Sequence, residues 1–136
     1  MIRYVAGFLF DQWGYVLLIE KKKPIWQKGL LNGIGGKIEP DESPIQAMIR
    51  EFEEEAGFKV INWELFVKLY RLNEYEVNFF KAQANIDSLE SPTEEQLVKV
   101  PYNYLKDCIP NLKWLIPLAR DTSVKFPIYI EDIKGN

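Results

Sequence analysis

The chain has 136 residues, a formal net charge of −3 and 47% hydrophobic content. That is enough for one domain with a single buried core, and too acidic for general attraction to nucleic-acid backbone or anionic membranes. It has no histidine and one cysteine, Cys108, which excludes histidine-dependent nucleophilic catalysis, histidine-based zinc sites and an internal disulfide.

Two strands are predicted first, Arg3 to Phe10 and Tyr15 to Glu20, around a turn at Asp11-Gln12-Trp13-Gly14. The apolar run Tyr4 to Phe10 is too short for a membrane span or a signal peptide. Residues 21–29 form a basic loop with Pro24 and Trp26, followed by a glycine-broken strand into Gly36. A helix follows, capped by Ser43 with Pro44 at its first position and Gln46 completing a capping box, and stopped by Gly57. Val60 to Leu72 and Tyr75 to Ala84 pattern as a long hairpin turning at Asn73-Glu74. Asn85 to Gln96 is a polar loop and Leu97 to Val100 a short strand. Tyr102 to Cys108 and Leu112 to Asp121 pattern as two short helices, and Phe126 to Ile130 as a final edge strand. Cys108 suits a buried small hydrophobe in a reducing cytoplasm.

The helix carries the chemistry. Ile45, Met48, Ile49, Phe52 and Ala56 recur at helical spacing and form one apolar stripe. Glu51, Glu54 and Glu55 fall beside that stripe on a shared face, with small Ala47 among them leaving room for a ligand. Like charges at spacings of three and four repel, so their crowding predicts a compensating cation. Oxygen donors with no cysteine or histidine nearby suit Mg²⁺ or Mn²⁺ rather than zinc. Arg50 reaches Glu54 or Glu53 one turn on, or bends toward Glu51. Glutamate runs are ordinarily solvated helix faces, and Glu53 is read as one. Glu42 is either a supporting carboxylate or a charge complementing the helix dipole.

Outside the helix, Gly33, Gly35 and Gly36 either let backbone approach a metal or phosphate or make a bend that aims the helix. Lys37 follows them as a phosphate contact. Lys23, with Lys21 and Lys22, is a second cationic candidate, although exposed loop lysines more often bind nothing specific. Trp26 either stacks on a base or covers the core.

Gly36 through Phe58 resembles the Nudix box, G-x5-E-x7-R-E-U-x-E-E-x-G-U with U a bulky aliphatic, at every fixed position. Phe52 and Phe58 stand where the family has aliphatic residues, so altered packing and intact chemistry are expected. The box covers 23 of 136 residues, and the flanks are also Nudix-like: an N-terminal hairpin, a Gly-Gly pair entering the box, and Glu94-Glu95 before a strand ending in Val-Pro. The resemblance implies an α/β fold, a Nudix-type α/β/α sandwich whose mixed central sheet carries the box helix, with residues 1–136 as a single domain. It implies Glu51, Glu54, Glu55 and the Gly36 carbonyl as ligands of Mg²⁺, with Mn²⁺ as an alternative. It further implies catalytic roles for Glu51, Glu54 and Arg50, and for a loop carboxylate, Glu95 before Glu94.

The implied activity is hydrolysis of a nucleoside diphosphate linked to another moiety. Small size favours a MutT-like enzyme that splits a (deoxy)nucleoside triphosphate, oxidised or nonstandard forms included, into monophosphate and pyrophosphate. An ADP-ribose-type enzyme places a proline about fifteen residues after the box, where this chain has Asn73. Tyr75 stands near a tyrosine of dinucleoside polyphosphate hydrolases. A nucleotide-binding module without catalysis is disfavoured by the complete box, and an acidic partner-facing helix is the structural alternative. The expected partner is a small-molecule nucleotide, with no nucleic acid and no membrane. An exposed C-terminal strand and abundant aromatics permit a homodimer.

Overall fold

The computed structural model describes residues 1–86 and 96–133. Among them eight strands form one mixed sheet. Its centre is β1 (Ile2–Phe10), which runs parallel to β6 (Tyr75–Gln83) along its whole length, Ile2 opposite Tyr75 and Phe10 opposite Gln83. On its other edge β1 is shared. β4 (Ile34–Lys37) pairs antiparallel with Tyr4 to Gly7, and β2 (Tyr15–Glu20) with Leu9 and Phe10. β2 also pairs with β3 (Leu31–Asn32) and β7 (Gln96–Pro101), both antiparallel. β5 (Glu64–Arg71) is antiparallel to β6, and parallel to the short edge strand β8 (Ile128–Glu131).

The sheet is buried on both faces, which explains why β2 reads as an unbroken run, Val16-Leu17-Leu18-Ile19, rather than an alternation. Leu17 and Ile19 join one core cluster while Val16 and Leu18 join the other. The first cluster is covered by α1 (Pro44–Ala56), through Ala47, Met48, Phe52 and Ala56. The second is covered by α2 (Leu112–Ala119), through Leu112, Leu115, Ile116 and Ala119. The expected α/β/α layering with a mixed sheet is therefore present.

Local chemistry accounts for α1. Gln46 N–H donates to Ser43 Oγ at 3.3 Å, and Ser43 N–H donates to Gln46 Oε1 at 2.9 Å. Gly57 adopts φ +82° and its N–H returns to the Glu53 carbonyl, a left-handed stop that a residue with Cβ resists. The two phenylalanines in aliphatic positions of the motif meet each other. Phe52 is fully buried, 5.1 Å edge-to-face from Phe58 and 5.2 Å from Trp63. Aromatic bulk thus fills the space beneath the helix with favourable ring geometry.

Two expectations are corrected. Tyr102 to Cys108 is not a helix. The Asp107 carbonyl accepts from Leu31 N–H and Ile109 N–H donates back to Leu31, so this segment's backbone is committed to β3, and Asp107 itself sits at φ +56°. Ala47 leaves no room for a ligand, because it is fully buried in the core beneath α1; its small size lets the helix lie close to the sheet. A short 3-10 turn, Ile25–Gln27, also lies within the basic loop. Among the described residues no helix is long and apolar enough to cross a membrane.

Phe52→Ala is expected to cost about 3–5 kcal/mol of unfolding free energy, as a large buried aromatic leaving a cavity. Glu53→Ala, on the exposed face, is expected to change stability by less than about 0.5 kcal/mol. Urea unfolding of both variants checks this, and similar costs would contradict the burial of that stripe.

Candidate functional site

The site starts where β4 meets α1. Gly35 lies so close to β1 that a Cβ there would sit 1.9 Å from the Val5 carbonyl oxygen. At Gly36 a Cβ would fall 2.5 Å from Glu51 Oε1. Strand pairing at Gly35 therefore requires glycine, and at Gly36 the missing Cβ lets the Glu51 carboxylate lie against backbone, where a side chain would displace it. Glu51 is half-buried there and projects from α1.

Arg50 organises the acids around it. Its Nε and Nη2 donate to Glu42 at 2.6 and 2.8 Å, a bidentate pair. Nη1 donates to Glu51 at 2.9 Å and to Glu54 at 3.3 Å, and Nη2 also donates to the Lys37 carbonyl at 3.1 Å. The open choice for Glu42 resolves toward the supporting carboxylate. It grips the arginine, and its Oε1 accepts the Glu39 N–H as well. Arg50 turns toward Glu51 and Glu54, and Glu53 is exposed on the other side.

Electrostatics follow the geometry. The hydrogen bonds from Arg50 hold the Glu42 carboxyl below the ordinary glutamate range, and the same contacts raise the guanidinium's own pKa. Burial pushes Glu51 up; Arg50 opposes that, and the negative charges of Glu54 and Glu55 add to it. These three acids therefore feel one another from a single helix face. They stand side by side: among the described residues no three acid side chains converge into a closed metal-ligating cluster. Mutual repulsion favours that spread, and Arg50 opposes it by donating to both Glu51 and Glu54. Three carboxylates beside a backbone approach are an all-oxygen donor set, which fits Mg²⁺ or Mn²⁺.

Beside the acids opens a cleft of about 540 Å³ whose lining includes Gly33, Gly35 and Gly36. Trp26 lines it and is 66% exposed, so it does not cover the core. Lys21, Pro24 and Gln27 of the basic loop line the cleft as well, whereas Lys23 is exposed outside that lining. Lys37 joins the site through its carbonyl, with its side chain exposed. Glu94 and Glu95 lie outside the described residues.

Sequence reasoning missed two carboxamides, Asn32 and Asn111, which line the same cleft. Asn32 is held by Gln27 and by its own neighbour, Gly33 N–H donating to its Oδ1 at 2.7 Å. Asn111 stands at the N-cap of α2 without capping it, and its buried Oδ1 accepts no hydrogen bond among the described residues. An asparagine after Pro110 reads as an ordinary helix start; only packing turns it into the cleft.

Comparison with known proteins bears on family and fold. A family model described as NUDIX domain matches residues 2–110. The chain is 42% identical over 59 residues to a CTP pyrophosphohydrolase of Escherichia coli (strain K12), a match covering 43% of each protein. It is 33% identical over 66 residues to an 8-oxo-dGTP diphosphatase of Haemophilus influenzae, covering 48% of each. The matched region spans less than half the length of both curated relatives. Among solved structures, the mutator MutT protein of Bacillus halodurans superposes with a TM-score of 0.69 at 25% identity, covering 86% of this chain and 80% of that one.

Because the Glu42 carboxyl is held low by Arg50, it stabilises the fold above the ordinary glutamate range, and that contribution is lost as pH falls through the lowered value. Glu42→Gln is therefore expected to lower Tm clearly at pH 7 and progressively less toward pH 3. Thermal melts across that range test this; an offset independent of pH would contradict it.

Proposed function

The chain belongs to the Nudix family, and we propose that it is a pyrophosphohydrolase splitting a (deoxy)nucleoside triphosphate, oxidised or nonstandard forms included, into a monophosphate and pyrophosphate. The observation that carries this reading is the acid face of α1 held against Gly36, the residue that also lines the cleft. The names of the two curated relatives, a CTP pyrophosphohydrolase and an 8-oxo-dGTP diphosphatase, support the substrate class. We read residues 1–136 as one Nudix domain working in the cytoplasm.

Glu51, Glu54 and Glu55, with the carbonyl of Gly36, would hold Mg²⁺ or Mn²⁺. Such a cation supplies positive charge against the non-bridging oxygens of a diphosphate. The chain's own residues do the rest. Arg50 holds Glu51 and Glu54 in register through charge-assisted hydrogen bonds. Glu51, Glu54 or the loop residue Glu95 accepts the proton of the water that attacks phosphorus. The anhydride P–O bond breaks, and pyrophosphate departs with that bond's electron pair.

Trp26 offers a flat face to the base, and Asn32 and Asn111 bring amide groups to its edge. A base whose edge matches the donor and acceptor groups of these carboxamides is favoured over one that leaves them unpaired. Lys37 and the lysines of the basic loop, Lys23 among them, add positive charge for the phosphate tail. Tyr75 also lines the cleft, and this favours a dinucleoside polyphosphate as the second candidate substrate.

The test is turnover with Mg²⁺ across nucleoside triphosphates, their oxidised forms, ADP-ribose and dinucleoside polyphosphates, with products identified. Pyrophosphate release from a triphosphate, abolished by a chelator, is expected. Glu54→Gln and Glu55→Gln are expected to lower kcat at least about a hundredfold while leaving Tm near wild type. Binding without turnover by the wild type would instead indicate a nucleotide sensor, and wild-type rates in either variant would overturn the assignment of these acids.

A further inference from the structure

Tyr75, Val77 and Phe79 alternate along β6 and line the cleft on the α2 side of the sheet. Tyr75 differs from the others in being tethered. Its hydroxyl donates to Asp132 Oδ2, and Arg71 Nη2 donates to that same oxygen at 2.9 Å. The Arg71 guanidinium lies 5.7 Å from the centre of the Tyr75 ring, within range of a cation–π contact. Asp132 in turn is anchored by its backbone, its N–H donating to the Tyr70 carbonyl at 2.8 Å just beyond the β5–β8 pairing. A tyrosine ring has two torsions of its own; here the phenol end is clamped by a carboxylate and one side by a guanidinium. Burial and the Asp132 carboxylate both raise the phenol's pKa, so the donor keeps its proton through the neutral range.

Asp132 itself does not line the cleft, and it lies beyond the residues that the family model matches. We infer that Asp132 is a positioning residue for substrate recognition, holding the Tyr75 ring as a fixed aromatic wall for the base of the bound nucleotide. Flat rings fixed before binding lose little freedom when a base packs on them, so the tether improves affinity and leaves the chemical step alone. This inference rests on the nucleotide reading above.

The experiment is steady-state kinetics on the best nucleotide of the substrate panel for wild type, Asp132→Ala, Asp132→Asn, Tyr75→Phe and the double variant Tyr75→Phe/Asp132→Ala, with Tm recorded for each. Asp132→Ala and Tyr75→Phe are each expected to raise KM about tenfold with kcat within about twofold. The double variant should be no worse than either single change, since both remove the same tether. Asp132→Asn keeps an oxygen for the tyrosine hydroxyl and should restore most of the affinity.

A lowered Tm with unchanged KM in Asp132→Ala would reduce Asp132 to a brace for β8 and overturn the inference. Additive KM penalties in the double variant would overturn it too, by separating Asp132 from Tyr75. If Asp132→Ala does not fold, an unchanged KM in Tyr75→Phe decides against it equally well. Wild-type turnover with flat KM values across the variants removes only this role, whereas no turnover on any nucleotide removes the reading beneath it.

Discussion

One guanidinium holds the acid site together. Arg50 binds Glu42 from the loop before α1, Glu51 and Glu54 from the helix itself, and the Lys37 carbonyl at the end of β4. Without a cation at that point, carboxylates on one helix face would repel one another and swing into solvent. The planar fork of arginine meets several acceptors at fixed angles, which a lysine ammonium cannot reproduce. The opposite pKa directions of Glu42 and Glu51 follow from the same arrangement. Glu42 takes two of the arginine's hydrogen bonds, while Glu51 has burial and neighbouring negative charge against it.

The sheet determines where that cluster sits. Because β1 shares one edge between β4 and β2, the glycines of β4 are drawn against the middle of the sheet while the hairpin closes beyond it. Gly36 is common to both halves of the site. It touches the acid face of α1 through Glu51, and it lines the cleft that reaches Trp26, Asn32 and Asn111. A side chain at that position would collide with Glu51, so the acid face and the cleft meet at backbone.

The two helices do different work on the two faces. α1 carries the acid face and is seated by an aromatic cluster of Phe52, Phe58 and Trp63. α2 closes the other core, and its first turn brings Asn111 to the cleft. The group that tethers one wall of the cleft comes from still later in the chain. The Tyr75 tether runs through Asp132, past the last strand, so the closing segment of the fold takes part in shaping the cleft.

Whatever depends on neighbours within a few turns was legible in the sequence. Ser43, Gln46 and Gly57 announced the limits of α1, the apolar spacing announced its buried stripe, and three glutamates at helical intervals announced an acid face. Caps and periodicity are local physics, written in residues less than a turn or two apart. Contacts across the sheet were not legible in this way. Whether Glu42 serves the helix dipole or Arg50, whether Ala47 leaves space or fills the core, and whether residues 102–108 coil or pair with Leu31 all depend on which segments the strand order brings together. The same holds for Asn111 and Asp132, ordinary polar residues until packing brings the first to the cleft and the second to the hydroxyl of a residue that lines it. The chain by itself determined the chemistry of one helix; only the tertiary structure decided which distant groups face it, because strand pairing sets those distances and the local sequence does not encode them.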